Sequence, residues 1–193
     1  RITIKRDPML IKARTVSKRD SPFVVEALNN KVPVLMSTSL FSKLTPGQIV
    51  GVTGTRGKST VTDIIYAGLL GAKIHRKVFL GGNVLGVSTL SLLPEVLPGD
   101  VVALELDSWQ LQGFASIHTN KINQKIMAEK GGFSPSVAVF TTFMPDHMNY
   151  YKGDMARYFA DKAHIYRFQS ANDTLVVSKQ VATYIKKYGP KPR

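Results

Sequence analysis

A glycine-rich loop carries the clearest chemical signal in this sequence. The stretch GVTGTRGKST, residues 51–60, ends with Lys58 and the hydroxyl side chains of Ser59 and Thr60. Gly54 and Gly57 allow the backbone to turn tightly and to approach an anion closely. Lys58 supplies a mobile cation for terminal phosphates, and one of the two hydroxyls can ligate Mg²⁺. These residue types at this spacing predict a site for the phosphates of a nucleotide.

The loop matches a variant of the P-loop pattern rather than its strict form. The strict form needs a glycine five places before Gly57, where this sequence has Val52. The alternative is an ordinary glycine turn that caps a helix and is followed by incidental hydroxyls. A strand, a loop and a helix in this order direct backbone N–H groups and a helix dipole at one point. That context, with the lysine and the paired hydroxyls, favours nucleotide binding.

The elements that must position this loop alternate between short apolar runs and longer segments of helical periodicity. This alternation predicts an α/β fold with a P-loop-type, mainly parallel sheet flanked by helices. Runs rich in valine and isoleucine indicate strands that are buried on both faces. The predicted strands are residues 49–53, 77–80, 101–106, 136–141 and 174–178, and the predicted helices are residues 58–70 and 155–168.

The beginning of the chain follows a different pattern. Two apolar runs flank a helix-like segment, which predicts a βαβ-like unit. These three segments are residues 9–13, 21–30 and 32–36. The pair Pro46 and Gly47 indicates a turn. We therefore expect two domains, residues 1–46 and residues 47–193.

The composition favours anionic partners. Lysine and arginine total 26 against 13 aspartates and glutamates, which gives a formal net charge of +13. Nucleic acid, a membrane surface and a phosphate-rich substrate all suit that charge. The basic tail at residues 179–193 fits a solvated last helix with a frayed end better than a nucleic-acid arm, because no recognition helix or interleaved exposed aromatics accompany it.

Cysteine usage and hydropathy bear on the compartment. The sequence has no cysteine, which excludes disulfides and thiolate metal sites and fits a reducing compartment. No apolar run approaches the length of a membrane span, and no signal peptide opens the sequence. The chain begins with Arg1, which indicates a processed chain or a fragment. We expect a cytoplasmic protein without a membrane or nucleic-acid partner.

Four further motifs follow the loop in a fixed order. They are GGN from Gly81, LELDSWQL from Leu104, DHMNYY from Asp146 and YFADKAHIY from Tyr158. Together with GTRGKST they resemble the central ATPase domain of the Mur ligases. The form ELDSWQL is most similar to the branch of that family that adds D-glutamate. The resemblance covers residues 48–178, and residues 21–41 resemble the end of the family's N-terminal UDP-binding domain.

Glu105 lies at the end of the third predicted strand, at the carboxyl edge of the sheet, where ligands bind in such folds. A carboxylate there can hold Mg²⁺ directly or through water. The alternative is a surface charge at a strand end. Since Leu104 and Leu106 flank the glutamate, its burial would be costly without a partner.

The resemblance implies roles for two more residues. It implies that His147 binds a second metal ion, with Asp146 able to fix its orientation. It also implies that Lys162 reacts with CO₂ to form a carbamate, which turns a cation into an oxygen ligand. That reaction needs the neutral amine, so burial or neighbouring positive charge should lower the pKa of Lys162. The alternative is a surface helix lysine paired with Asp161.

The resemblance also implies an activity. It implies ATP-dependent amide bond formation through an acyl phosphate, with ATP and Mg²⁺ as cofactors. The implied substrates are UDP-N-acetylmuramoyl-L-alanine and D-glutamate, and the implied process is peptidoglycan precursor synthesis. We expect the protein to be a monomer. Another amide ligase of the superfamily, such as a folylpolyglutamate synthase, and a P-loop module associated with nucleic acid are the alternatives. With the C-terminal domain absent, this chain alone is expected to bind nucleotide weakly and not to complete ligation.

Three sets of residues summarise the expected site. The catalytic residues are Lys58, Glu105, His147 and Lys162. The nucleotide-binding residues are Gly54, Thr55, Arg56, Gly57, Lys58, Ser59, Thr60 and Asn83. The metal ligands are Ser59, Thr60, Glu105, His147 and Lys162 as its carbamate.

The sequence departs from the family pattern at four of its motif positions. Asp107 stands where serine is usual, Asn149 where aspartate is usual, and Thr142 and Arg56 where asparagine is common. Asp107 would add negative charge near the substrate carboxylate. The departure therefore bears on the specificity for the amino acid or for the sugar-peptide more than on ATP binding.

Overall fold

The computed structural model describes residues 10–12, 22–30, 32, 34–84, 88–115 and 132–189. The first part is a small parallel unit of strand β1 (Leu10–Lys12), helix α1 (Pro22–Asn29) and strand β2 (Val34–Met36). β1 pairs with β2 in parallel, with Leu10 opposite Val34. The predicted βαβ-like arrangement is confirmed.

The main sheet has five strands in the order β4-β5-β3-β6-β7, and every neighbouring pair is parallel. The strands are β3 (Gln48–Thr53), β4 (Val78–Gly82), β5 (Val101–Glu105), β6 (Val137–Phe140) and β7 (Thr174–Val177). This confirms the predicted α/β fold, and each strand lies within two residues of its predicted bounds. The central strands are buried because helices cover the sheet.

The described helices follow the strands in the expected alternation. They are α2 (Ser37–Leu44), α3 (Lys58–Ala72), α4 (Ser108–Gln112), α5 (Met148–Tyr151), α6 (Met155–Ala163) and α7 (Lys179–Tyr188), with a 3₁₀ turn at Thr89–Leu92. Within the described ranges, no helix combines the length and the apolar character needed to cross a lipid bilayer.

Two helices differ from the sequence prediction. The prediction of a helix over residues 155–168 is wrong at its end, since α6 stops at Ala163. The hydroxyl of Ser134 donates to the carbonyl of His164 (2.7 Å) and accepts from the amide of Phe168 (3.0 Å), so a side chain replaces the helical bonds there. The last helix is also less solvated than predicted, because Val181 is fully buried. Residues 190–193 lie outside the described residues.

The topology places a crevice beside the glycine loop. From β3 the chain crosses to β4 on one side, whereas from β6 it continues to β7 on the other. Adjacent strands whose connections leave in opposite directions open a crevice at their carboxyl ends. The loops after β3 and β6 border this crevice.

An aromatic cluster under β6 fixes α6 against the sheet. The ring of Phe143 lies 5.0 Å from that of Phe159 and 4.8 Å from that of Tyr184, both close to perpendicular. Phe140 stacks on Phe159 at 5.7 Å. Such edge-to-face pairs add to the energy of burial. The cluster thereby fixes the position of α6, the helix that carries Lys162, relative to the sheet.

Candidate nucleotide-binding site

The glycine loop is the four residues 54–57 between β3 and α3, and its geometry requires both of its glycines, Gly54 and Gly57. A side chain at Gly54 would collide with the hydroxyl of Thr141. Gly57 has φ +77° and forms the N-cap of α3, while a side chain there would meet open space. Gly54 therefore permits close packing of two loops, and Gly57 permits a left-handed turn into the helix.

Replacing Gly54 with alanine is expected to displace the loop from Thr141. We expect a loss of more than about 2 kcal/mol in the free energy of unfolding and of nucleotide binding, since the added methyl group meets another loop in a fixed position. The measurements are thermal denaturation and titration with a fluorescent nucleotide. Gly68→Ala is the matched control, because its side chain would meet open space within α3. Equal binding by the two variants would contradict the prediction.

The loop after β6 holds the glycine loop in place. The hydroxyl of Thr141 donates to the carbonyl of Arg56 at 2.6 Å, and the amide of Arg56 donates to the hydroxyl of Thr142 at 2.9 Å. The amide of Thr55 donates to the carbonyl of Thr142 at 2.8 Å. Thr55 Oγ1 also exchanges hydrogen bonds with the backbone of Met144. The two loops therefore form one hydrogen-bonded unit. Thr142, which departs from the family pattern, contributes an acceptor hydroxyl and an acceptor carbonyl to it.

The start of α3 presents cationic and hydroxyl groups to the crevice. Lys58 is half-buried, and its Nζ donates to the carbonyl of Thr55 at 3.3 Å, so its side chain lies across the loop. Ser59 and Thr60 are exposed on the first turn of α3. A helix N-terminus carries a partial positive charge and free N–H groups. This end of the crevice is suited to anions.

Glu105 is buried at the end of β5, so the alternative of a surface charge is wrong. Glu105 is 4% exposed and pairs with Val52 of β3. Asn83 donates to it twice, from Nδ2 to Oε1 at 3.0 Å and from its amide to the backbone carbonyl at 2.7 Å. Gly82 permits this approach, because a side chain there would collide with the backbone of Glu105. The structure thus places Asn83 against the carboxylate.

The surroundings of Glu105 fit a divalent cation. Asn83 Oδ1 is buried, and among the described residues it has no hydrogen-bond partner. A carboxylate beside an unused amide oxygen is the type of donor set that Mg²⁺ prefers. Across the described ranges, no group of three or more His, Asp or Glu side chains could hold a metal ion. A metal site here would therefore also depend on hydroxyls, amide oxygens or water.

Lys162 is buried and faces the glycine loop, so the alternative of a surface lysine is wrong. It is 2% exposed, and its Nζ donates to the carbonyl of Gly54 at 2.9 Å. Burial, and then the positive charge of Lys58, lower the pKa of Lys162 to about 7. The carboxylate of Asp161 accepts hydrogen bonds from Gln112 (2.7 Å) and Tyr151 (3.0 Å). About half of the Lys162 amine is then neutral near pH 7.

His147 borders the same crevice in a left-handed conformation. It has φ +54° at the N-cap of α5, and its ring meets the ring of Trp109 edge-on at 4.3 Å. Asp146 Oδ1 accepts from the amide of His147 at 2.9 Å, while Asp146 Oδ2 lies 3.8 Å from Nε2 of the ring. Asp146 therefore fixes the backbone of His147 rather than bonding directly to its ring nitrogen.

Asp107 has a structural role in addition to its charge. Its carboxylate accepts from the amide of Gln110 at 2.8 Å, and its amide donates to the Gln110 side chain at 3.1 Å. This reciprocal cap begins α4. Gln110 also donates to Thr38 of α2 at 3.0 Å. Of the other departures, Asn149 is exposed on α5.

Tyr158 is a site residue that the sequence prediction missed. Its hydroxyl lies 3.4 Å from Thr55 Oγ1, and its ring centroid lies 5.1 Å from Lys162 Nζ. Burial raises the pKa of Tyr158 to about 12, so its phenol stays protonated and can donate. The signal was available as the i, i+4 spacing of Tyr158 and Lys162, which places both on one face of α6.

The fold and the site define a P-loop-type nucleotide-binding domain: strand, glycine loop and helix, with an acid at a neighbouring strand end and a buried lysine against the loop. The family described as the Mur ligase middle domain matches residues 52–191. The chain belongs to the Mur ligase family. Members of this family use ATP.

Several curated relatives share the name UDP-N-acetylmuramoylalanine--D-glutamate ligase. The protein of Chlorobium phaeobacteroides is 37% identical over 147 residues, which cover 75% of this chain and 28% of the relative. That of Clostridium kluyveri is 34% identical over 167 residues, 86% of this chain and 32% of the relative. That of Treponema pallidum is 36% identical over 138 residues, which cover 72% of this chain and 25% of the relative. The matched part of the chain thus spans less than a third of these relatives' length.

Proposed function

We propose that this chain is the ATP-binding part of a ligase that adds D-glutamate to UDP-N-acetylmuramoyl-L-alanine in peptidoglycan precursor synthesis. The observation that carries the proposal is the Lys162 amine, which is buried and bonded at 2.9 Å to the glycine-loop carbonyl of Gly54. A plain phosphate-binding loop has no need of a buried amine behind it. The names of the relatives support the choice of substrates.

We propose that residues 47–193 form the ATP-binding domain and that residues 1–46 are the end of a UDP-binding domain. The family match over residues 52–191 supports the first of these assignments. Since the chain spans less than a third of its relatives, the amino-acid substrate would be brought by parts of a ligase that lie outside it. We place the reaction in the cytoplasm, where ATP is available, and expect a monomer.

The residues of the loop would bind the nucleotide and prepare phosphoryl transfer. Amides of the glycine loop and the N-terminus of α3 would hold the phosphates, and Lys58 would leave the carbonyl of Thr55 to neutralise them. The substrate carboxylate attacks the γ-phosphorus and ADP leaves, which gives an acyl phosphate. The amine of D-glutamate then displaces phosphate. Two anions must approach each other, so positioning and charge neutralisation carry the catalysis.

Metal ions would assist by neutralising charge on the phosphates. We propose that Ser59 or Thr60, with Glu105, would hold one Mg²⁺, and that Asn83 would keep the Glu105 carboxylate in place at 3.0 Å. His147 and Lys162 would hold a second. As an ammonium, Lys162 does not suit a cation, whereas its neutral form does react with CO₂.

The proposed change at Lys162 is a carbamylation. The neutral amine nitrogen attacks the carbon of CO₂, a carbon–oxygen π pair moves to oxygen, and the nitrogen releases one proton to solvent. The product carries one negative charge in place of one positive charge. Burial of Lys162 and the nearby charge of Lys58 support this step, because both disfavour the ammonium form.

Phosphate release tests the proposed function. In a protein of the relatives' length that contains these residues, release should require ATP, UDP-N-acetylmuramoyl-L-alanine and D-glutamate together. Replacing D-glutamate with other amino acids measures the specificity, on which Asp107 bears. Release stimulated by DNA or RNA, with no dependence on the amino acid, would instead identify a nucleic-acid module. This chain alone should bind nucleotide without forming product.

A further inference from the structure

Arg56, at the crest of the glycine loop, has a backbone held by hydrogen bonds and an exposed side chain. Hydrogen bonds from Thr141 and to Thr142 hold its carbonyl and its amide. Its side chain is 71% exposed, and Nη1 lies 3.6 Å from Asp146 Oδ2. An exposed ion pair at this distance contributes little to stability. The guanidinium can therefore leave Asp146 without disturbing the loop.

The amide of Arg56 is already used, so only its side chain can reach an additional anion. The helix N-terminus and Lys58 serve one end of a polyphosphate. Lys162 faces inward and bonds to the carbonyl of Gly54, behind the loop. Arg56 is the exposed cation at the crest, and a guanidinium binds phosphate oxygens in a bidentate manner.

Asp146 connects Arg56 to the His147 loop. The same oxygen, Oδ2, lies 3.6 Å from Arg56 and 3.8 Å from Nε2 of His147. Neither contact is a close hydrogen bond, so Asp146 is shared between two cationic or donor groups. The His147 ring meets Trp109 at 4.3 Å, and Trp109 is the single tryptophan of the sequence. A movement of Asp146 toward His147 would therefore change the surroundings of Trp109.

We propose that Arg56 distinguishes a nucleoside triphosphate from a diphosphate by exchanging Asp146 for the terminal phosphate, and that Asp146 then moves onto His147. A phosphate group offers more charge and a better bidentate geometry than the carboxylate at 3.6 Å, so the exchange favours the triphosphate. A diphosphate does not reach the crest and leaves the Arg56–Asp146 pair in place. The inference rests on the proposed nucleotide site at this loop.

The test uses the 193-residue chain and the fluorescence of Trp109. Titration with a non-hydrolysable ATP analogue and with ADP gives two dissociation constants and two emission changes. We expect the analogue to bind about tenfold more tightly than ADP, as one charge-assisted contact provides, and to alter Trp109 emission where ADP does not. In Arg56→Ala this advantage should fall to about twofold or less, because the affinity for the analogue falls far more than the affinity for ADP.

Two further variants separate the steps. Asp146→Asn should keep or improve the affinity for the ATP analogue, because the competing charge is gone, yet lose the Trp109 response. Arg167→Ala removes one exposed arginine from the turn that follows α6 and should change neither quantity. This control accounts for the loss of net charge.

The outcomes that overturn the inference are distinct. Equal weakening of both nucleotides by Arg56→Ala would show a general charge effect and no discrimination. Equal binding and equal emission changes with ADP and the analogue in the unaltered chain would overturn the inference while leaving the nucleotide site intact. If neither nucleotide binds, the proposed function fails as well.

Discussion

Lys162→Ala is expected to lower the proposed ligase activity by about a thousandfold or more, because it removes the group that we propose to act beside the transferring phosphate. The structure places the Lys162 amine against the carbonyl of Gly54, with the ring of Tyr158 beside it. Alanine leaves a buried cavity at that point. The assay measures product formation in a protein of the relatives' length, since this chain spans less than a third of them.

A short carboxylate should restore part of the lost activity. Acetate or propionate can enter the cavity left by Lys162→Ala and supply the anionic oxygens that we propose for the carbamate. Chloride at the same concentration controls for ionic strength. Lys179→Ala, which removes an exposed lysine at the start of α7, should keep full activity. A folded Lys162→Ala protein that no carboxylate rescues would count against the carbamate.

Much of the sheet could be predicted from sequence because its signals are local. Apolar runs such as Val101 to Leu106 must be buried on both faces, and this requirement alone identifies a central strand. The glycine loop could be assigned in the same way, since Gly54 and Gly57 indicate a tight backbone turn, and Gly57 has φ +77° in the structure. Fold class, strand bounds and glycine loop all follow from such neighbouring residues.

The parts of the site that could not be predicted depend on the order of the strands. Thr141 meets Arg56 across 85 positions of sequence only because β6 lies beside β3. Asn83 meets Glu105 because β4 pairs with β5. Pattern analysis gives the strands but not their neighbours. For this reason the sequence did not indicate that Asn83 holds the Glu105 carboxylate, and the expected role of Asn83 in nucleotide binding stays a prediction.

Local signals can also be outweighed by distant partners. The apolar periodicity after Met155 continues past Ala163, yet the helix ends there because Ser134 competes for the backbone of residues 164 and 168. Asp107 is expected to add negative charge near the substrate carboxylate, which stays a prediction, and the structure shows that it also caps the start of α4. The end of the helix required the position of a residue from another part of the chain, whereas the cap of Asp107 on Gln110 is a local contact.

The lowered pKa of Lys162 should make the stability of the chain depend on pH. In the unfolded chain the amine has its ordinary pKa of 10.5, and in the folded chain burial and Lys58 lower the pKa to about 7. Below pH 7 both states bind the proton, and the folded state carries the full cost of a buried cation. Between pH 7 and 10.5 only the unfolded state binds it, so the free energy of unfolding rises with pH.

A comparison with Lys162→Met isolates this contribution, because methionine does not titrate there and fills a similar volume. From pH 6.5 to pH 9.5 the unaltered chain should gain on the order of 3 kcal/mol relative to the variant, at about 1.4 kcal/mol for each pH unit within the window. Chemical denaturation in CO₂-free buffer measures both proteins. The upper limit avoids the buried tyrosines Tyr158 and Tyr166, whose pKa values burial raises to about 12.

Bicarbonate extends the same comparison to the proposed carbamate. If CO₂ adds to the neutral amine in the folded chain, bicarbonate should stabilise the unaltered chain further at pH 8 to 9, by an amount that grows with the logarithm of its concentration once the site is filled, and leave Lys162→Met unchanged. A constant difference between the two proteins across the pH range would show that Lys162 keeps its ordinary pKa when folded. The chain would then hold a buried ammonium ion against the carbonyl of Gly54, and no neutral amine would be available to react with CO₂ at pH 7.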